Sequence, residues 1–241
     1  GVVVAVLDSG IDANHEEWEN KILPESYDFI SNSTSAADGD GYDDDPNDEG
    51  NNYHGSHVAG IIAATANNGK GIAGLAYDAQ IMALRVLGVN DNGASADIAQ
   101  AILYASGLDG TNSPDNFQKA DIINMSFGSE NLSETIKNAI DQAFNSGVIL
   151  VAAAGNSNTD QKFYPAAFNN VVGVGAVSSI KERSNFSNYG ENVQLLAPGG
   201  TDARSSEFDG FQDGIISTIN ANNYAEYQGT SMAAPHVSAV A

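Results

Sequence analysis

The 241-residue chain contains no cysteine, which excludes disulfides, thiolate metal sites and thiol catalysis. The redox compartment stays open, because an extracellular protein can do without disulfides. Basic residues are scarce: nine Lys and Arg stand against 31 Asp and Glu, for a net charge of −22. Binding nucleic acid through its phosphates needs clustered cations, so that partner class is excluded. The acidic excess fits a halophilic or merely soluble surface, or carboxylates gathered around cations. No apolar run approaches the length of a membrane span, and the chain opens directly in a strand-like run with no signal-peptide pattern. Any targeting segment would lie upstream. Six prolines beside 25 glycines favour a compact fold with many tight turns over a low-complexity chain.

With 42% hydrophobic residues the chain has enough apolar material for one large domain. Gly1–Leu7 is a continuous apolar run, the pattern of a strand buried on both faces. Further strands are expected at Gln80–Leu87, Ala120–Ser126, Val148–Ala153, Val171–Val177 and Val193–Ala197. Between them, His54–Ala64, Ala96–Ser106 and Leu132–Ser146 read as helices, and Gly107–Lys119 as a polar loop. Strands alternating with helices predict an α/β fold with a mostly parallel sheet covered on both faces. No repeat or linker divides residues 1–241, so one domain is expected.

Four segments hold residues suited to chemistry. Ser231 in Gly229-Thr230-Ser231 opens a run of small residues that reads as a buried helix. There it is either a helix cap or a nucleophile placed where helix-start amides favour negative charge. Asp8 ends the first strand, where open α/β sheets put their chemistry, although it could equally cap the following turn. His54 stands at the start of the next helix, and His54 with His57 makes an H-x-x-H pair without a third ligand, a weak signature for zinc. From Asp38 to Glu49 the chain carries seven carboxylates in twelve residues. Aspartates interleaved with glycines can converge their oxygens on a hard cation; the alternative is a solvated acidic loop. It is not an EF-hand, because Tyr42 occupies the fifth loop position.

Taken in order, Asp8 in VAVLDSGID, His54 in HGSHVAG, Asn156 in AAAGNS and Ser231 in GTSMAAPHV resemble the four signature segments of the subtilisin-like serine proteases. The resemblance covers essentially the whole chain. It is closest to secreted bacterial members with a DGDGRDxDPxD-type loop before the histidine and an insertion that here spans Gly107–Gln118. Tyr42 stands where that loop has arginine.

The resemblance implies a three-layer subtilisin-like fold and a serine endopeptidase. Ser231 would attack the peptide carbonyl, His54 would act as base and then acid, and Asp8 would orient the imidazole. Asn156 would supply the oxyanion donor. His15, His57 and His236 would be structural. Ser126, Phe127 and Gly128 would form an exposed strand edge for an extended peptide. Ala153, Ala154 and Gly155 would line the primary pocket, with Phe163 at its floor and a preference for small or medium side chains. Asp38, Asp40, Asp43 and Asp45 would hold a structural Ca²⁺. A second family calcium site, in the turn after the histidine helix, is disfavoured by Lys70. The resemblance further implies a monomer, secreted, acting on protein or peptide substrates and made with a propeptide. Since relatives extend before the first strand and beyond the serine helix, a catalytic domain truncated at both ends is expected. Two other readings keep these residues in different uses: a transpeptidase or processing peptidase with the same triad, and a non-catalytic calcium-binding surface module.

Overall fold

The computed structural model describes residues 1–50, 53–108, 117–204 and 212–241. Its first strand, β1 (Val3–Asp8), is buried along its whole length, as its unbroken apolar run requires. β2 (Tyr27–Asp28), β3 (Gln80–Arg85), β4 (Ile122–Met125), β5 (Ile149–Ala153), β6 (Val172–Val177) and β7 (Leu195–Pro198) complete a seven-stranded sheet of order β2-β3-β1-β4-β5-β6-β7. Every pairing in it is parallel. Two antiparallel hairpins stand apart, β8 (Thr201–Arg204) with β9 (Gln212–Asp213) and β10 (Ile215–Thr218) with β11 (Tyr224–Tyr227). The helices are α1 (Ser33–Ala36), α2 (His54–Ala63), α3 (Ser95–Ala105), α4 (Glu134–Asn145) and α5 (Thr230–Ser238).

Successive strand residues point to opposite faces, and β1 sorts the two cores accordingly. Val3, Ala5 and Leu7 pack with Ile98 and Ile102 of α3 and Ile140 of α4. Val4 and Val6 pack with Val58 and Ile62 of α2 and Met232, Ala233 and Val237 of α5. Each of the Val, Leu, Ile and Met side chains among these, taken from water, contributes about 1.5–3 kcal/mol, so both layers are firmly tied to the sheet. In α5 the small Ala233 and Ala234 are completely buried, which brings the helix backbone close to the strands.

The chain passes from β1 through α2 to β3, then returns through α3 on the other face to β4, on the far side of β1. That reversal opens a crevice at the carboxyl ends of β1 and β4, the place where parallel sheets of this kind bind ligands. Asp8 is the last residue of β1, and Ser126 follows β4. The expected strands and helices all appear. α1 and the β10–β11 hairpin were not legible as elements, and the polar loop expected at Gly107–Lys119 lies largely outside the described residues.

Candidate active site

At the end of β1, Asp8 is 1% exposed and its Oδ1 accepts the Ser9 amide at 2.8 Å and His54 Nδ1–H at 2.7 Å. Its Oδ2 is buried with no partner among the described residues. His54 is the first residue of α2, preceded by Tyr53 in the left-handed region. A Cβ at Gly55 would stand 2.1 Å from the Gly10 carbonyl oxygen and 3.1 Å from the Asp8 Cβ. Glycine in H-G-S-H is therefore what lets the helix start touch the Asp8 turn. Burial works to lower the His54 pKa, but the charge and hydrogen bond of Asp8 prevail and hold the imidazole above its ordinary value. Ser9 Oγ accepts the Gly55 amide and donates to Asp48 Oδ2 at 2.6 Å. Burial raises the Asp48 carboxyl pKa.

Ser231 sits in the first turn of α5, where its own amide has no intrahelical acceptor. Its Oγ donates to the Ser126 carbonyl at 2.8 Å, and Ser126 Oγ donates back to the Ser231 carbonyl at 2.8 Å. Behind this pair runs a buried chain that sequence reasoning did not find. Ser238 Oγ donates to Asn124 Oδ1 (2.8 Å), and Asn124 Nδ2 donates to Ser126 Oγ (2.9 Å). It ties α5 to β4 at both ends of the helix. Asn156 Oδ1 accepts both the amide and the hydroxyl of Thr230 at 2.9 Å, while Thr230 Oγ1 accepts the Gly155 amide. Those bonds occupy the amide oxygen and leave Nδ2 without a partner among the described residues. Thr230 was missed as well, because its role depends on contact with a segment about 75 residues away. His54, Asn156 and Ser231 line one cavity of about 490 Å³.

Of the segment Ser126–Gly128, expected to be exposed, Gly128 is exposed and Phe127 half-buried, but Ser126 is not. Ser126 is 2% exposed, and it continues an interior strand past the last ladder partners of β4 rather than forming a sheet edge. The ladder pairs of β4 with β1 and β5 end at Met125. Ala153 and Ala154 are buried, and Gly155 follows with φ +100°. The Phe163 ring lies between the two segments. A Cβ at Gly128 would be 2.4 Å from its Cε1, and a Cβ at Gly155 would be 3.0 Å from its Cδ1 and Cγ. A second cavity, of about 360 Å³, lies beside Phe127, Gly128, Leu132, Ile98 and Tyr164.

In the acidic loop, Asp38, Asp40 and Asp43 each offer an oxygen within 4.8 Å of the others. Asp45 is not gathered with them: its Oδ1 accepts the amide and the side-chain Nδ2 of Asn47, at 3.0 and 2.6 Å. Burial, the Asp40 hydrogen bond and the Asp40 and Asp38 charges raise the Asp43 pKa, with the Asp45 amide opposing. The crowded carboxylates fit a divalent cation in both charge and donor type. Buried Arg85 anchors the loop to the core through Asp28 (2.6 Å), Asp38 (2.7 Å) and the Ala36 carbonyl. Tyr42 OH donates to buried Asp97 at 2.7 Å, joining the Ser31 amide and hydroxyl. Burial and that carboxylate push the phenol up to about 12. In the turn after α2, Lys70 pairs with Glu16 at 2.8 Å. Buried Glu17 accepts Asn68 Nδ2, the Ile72 amide and Tyr224 OH.

The other histidines are engaged in packing. His57 stacks on Tyr227 at 4.4 Å, its Nε2 bonds the Ala225 carbonyl, and burial depresses its pKa to about 4. His15 Nε2 meets the Asn223 carbonyl, and His236 Nδ1 the Met232 carbonyl. Among the described residues no helix is long and apolar enough to cross a membrane.

A family model described as the subtilase family, peptidase S8, matches residues 1–241. The chain is 40% identical over 241 residues to a thermophilic serine proteinase of Bacillus sp. (strain AK1), all of this chain matching 51% of that protein. It is 42% identical to an extracellular basic protease of Dichelobacter nodosus, all of this chain matching 42% of that one. The major intracellular serine protease of Bacillus subtilis (strain 168) is 38% identical over 98% of this chain and 66% of its own length. Among solved structures, a Pseudoalteromonas arctica PAMC 21717 protease superposes with a TM-score of 0.90 at 41% identity, covering 100% of this chain and 76% of that one. The chain thus spans about half the length of the first two relatives.

Proposed function

Because the chain belongs to the subtilase family, we propose that its crevice hydrolyses peptide bonds through Asp8, His54 and Ser231, with Asn156 as oxyanion donor. The observation that carries this reading is the 2.7 Å bond from His54 Nδ1 to Asp8. It leaves Nε2 as the imidazole's free nitrogen in a cavity shared with Ser231 and Asn156. Ser231 Oγ leaves the Ser126 carbonyl, attacks the peptide carbonyl carbon and passes its proton to His54 Nε2. The same proton goes to the leaving amine as the C–N bond breaks and the acyl-serine forms. Water then repeats the sequence and releases the acid. Charge on the tetrahedral oxygen meets Asn156 Nδ2 and the Ser231 amide, with the positive end of α5 adding to them.

An extended peptide would lie along Ser126–Gly128, past the last ladder pairs of β4, and face Ala153–Gly155 across it, with its main chain hydrogen-bonded. Since the Phe163 ring fills the space between these walls, small side chains are favoured before the scissile bond. Asp38, Asp40 and Asp43 would hold a structural Ca²⁺, whose charge would offset their mutual repulsion. An extracellular setting is supported by the Dichelobacter relative's name, and the Bacillus subtilis intracellular relative marks the other possibility. Residues 1–241 act together as one catalytic domain. The test is turnover of a denatured protein substrate by the chain and by S231A, with product masses read. The reading requires hydrolysed fragments from the first and none from the second; amine-joined products would move the assignment to acyl transfer.

A further inference from the structure

Glu226 is exposed on β11, paired in register with Ile216. It lines the cavity that also holds His54, Asn156, Tyr227, Ser231 and Met232. Under the proposed function, which this inference deepens, one half of the substrate lies along Ser126–Gly128 and the Phe163 ring. Those residues lie outside this cavity; Phe127 and Gly128 border the neighbouring one. His54 must pass a proton to the departing amine, so the residues that follow the scissile bond leave Ser231 on the His54 side, past Glu226.

The carboxylate there is uncovered. Across from it, a Cβ at Gly214 would come 3.0 Å from the Glu226 Cβ and 3.4 Å from Oε2; the glycine puts no side chain over it. Among the described residues no Lys or Arg lines this cavity or forms an ion pair with Glu226. An unpaired charge at the mouth of a cleft acts on whatever enters it.

We propose that Glu226 makes the leaving-group side of the cleft selective for Lys or Arg within the first three residues after the scissile bond. An exposed ion pair supports about a two- to fivefold preference over an uncharged side chain. The test uses the whole chain and quenched fluorescent peptides identical before the scissile bond, carrying Lys, Gln or Glu at each of the next three positions in turn. Wild type, E226Q and E226K are compared by the ratio of kcat/KM for the Lys and Gln peptides. In low salt the wild-type ratio is expected to be about two to five at one position. It falls to about one in E226Q and below one in E226K. At about 1 M salt, where the screening length is about 3 Å, the wild-type preference also collapses. An equal ratio in wild type and E226Q overturns the proposal alone, as does a preference untouched by salt. Failure of wild type to cleave any peptide overturns the protease reading and this proposal with it.

Discussion

His54 Nδ1 and Asp8 Oδ1 lie 2.7 Å apart, joining the start of α2 to the end of β1. The bond fixes which imidazole nitrogen faces the cleft, and the carboxylate outweighs burial to raise the His54 pKa. The base works only when neutral, so kcat/KM should fall as pH drops through a value above the ordinary 6.5. D8N is expected to lower kcat by about 10⁴-fold. It should also move the acid limb to lower pH, because the charge that raised the pKa is gone. A pH profile of kcat/KM for both proteins checks this; an unmoved limb would separate Asp8 from the base.

Thr230 occupies the oxygen of Asn156 with two bonds. N156A should lower kcat by about 10²–10³-fold with little change in KM, the loss known for the corresponding amide in subtilisin. T230V keeps the backbone bond but removes the hydroxyl, so it should lower kcat by a smaller factor in the same direction. Steady-state kinetics on one peptide, normalised to the active fraction titrated with a fluorophosphonate, distinguish this pattern from a general loss of folding, which lowers apparent kcat at unchanged KM only in proportion to that fraction.

Phe163 stands between Gly128 and Gly155. Wild type is therefore expected to cleave after Ala better than after Phe or Leu. F163A should raise kcat/KM for Phe by at least about tenfold, the range of a pocket that gains several methylenes of contact. A peptide panel varied only before the scissile bond reads this directly. Equal cleavage after Phe and Ala by wild type would place the ring outside the pocket.

Calcium at Asp38, Asp40 and Asp43 should stabilise the fold by about 2.7 kcal/mol at one hundred times Kd. For a chain of this size that amounts to a melting shift of about 5–10 °C, lost on adding a chelator. D40N should remove most of the shift, whereas D45N should leave it, since Asp45 is turned toward Asn47. Differential scanning calorimetry with and without chelator is the measurement.

Asp8, His54, Asn156 and Ser231 were legible because VAVLDSGID, HGSHVAG, AAAGNS and GTSMAAPHV resemble the subtilase signature segments in the same order. The sheet was legible from its hydrophobic pattern: Val3–Leu7 is apolar on both faces and is buried on both. What the pattern hid are polar contacts across long loops. Arg85 ends an apolar strand, and nothing nearby announces that Asp28 and Asp38 neutralise it. Asn124 and Ser238 are 114 residues apart and meet only once α5 lies on β4. Asp45 looked equivalent to Asp43 by spacing, but an Asn two residues on captures it locally. Ser126 was expected at an exposed edge, and β4 proved to be an interior strand with pairs on both sides.

If Ser231 is an activated nucleophile, exposure to a fluorophosphonate gives one adduct by intact-mass analysis, located on Ser231, absent in S231A and strongly slowed in D8N. An unmodified wild-type chain, or an adduct on another serine that persists in S231A, would contradict it.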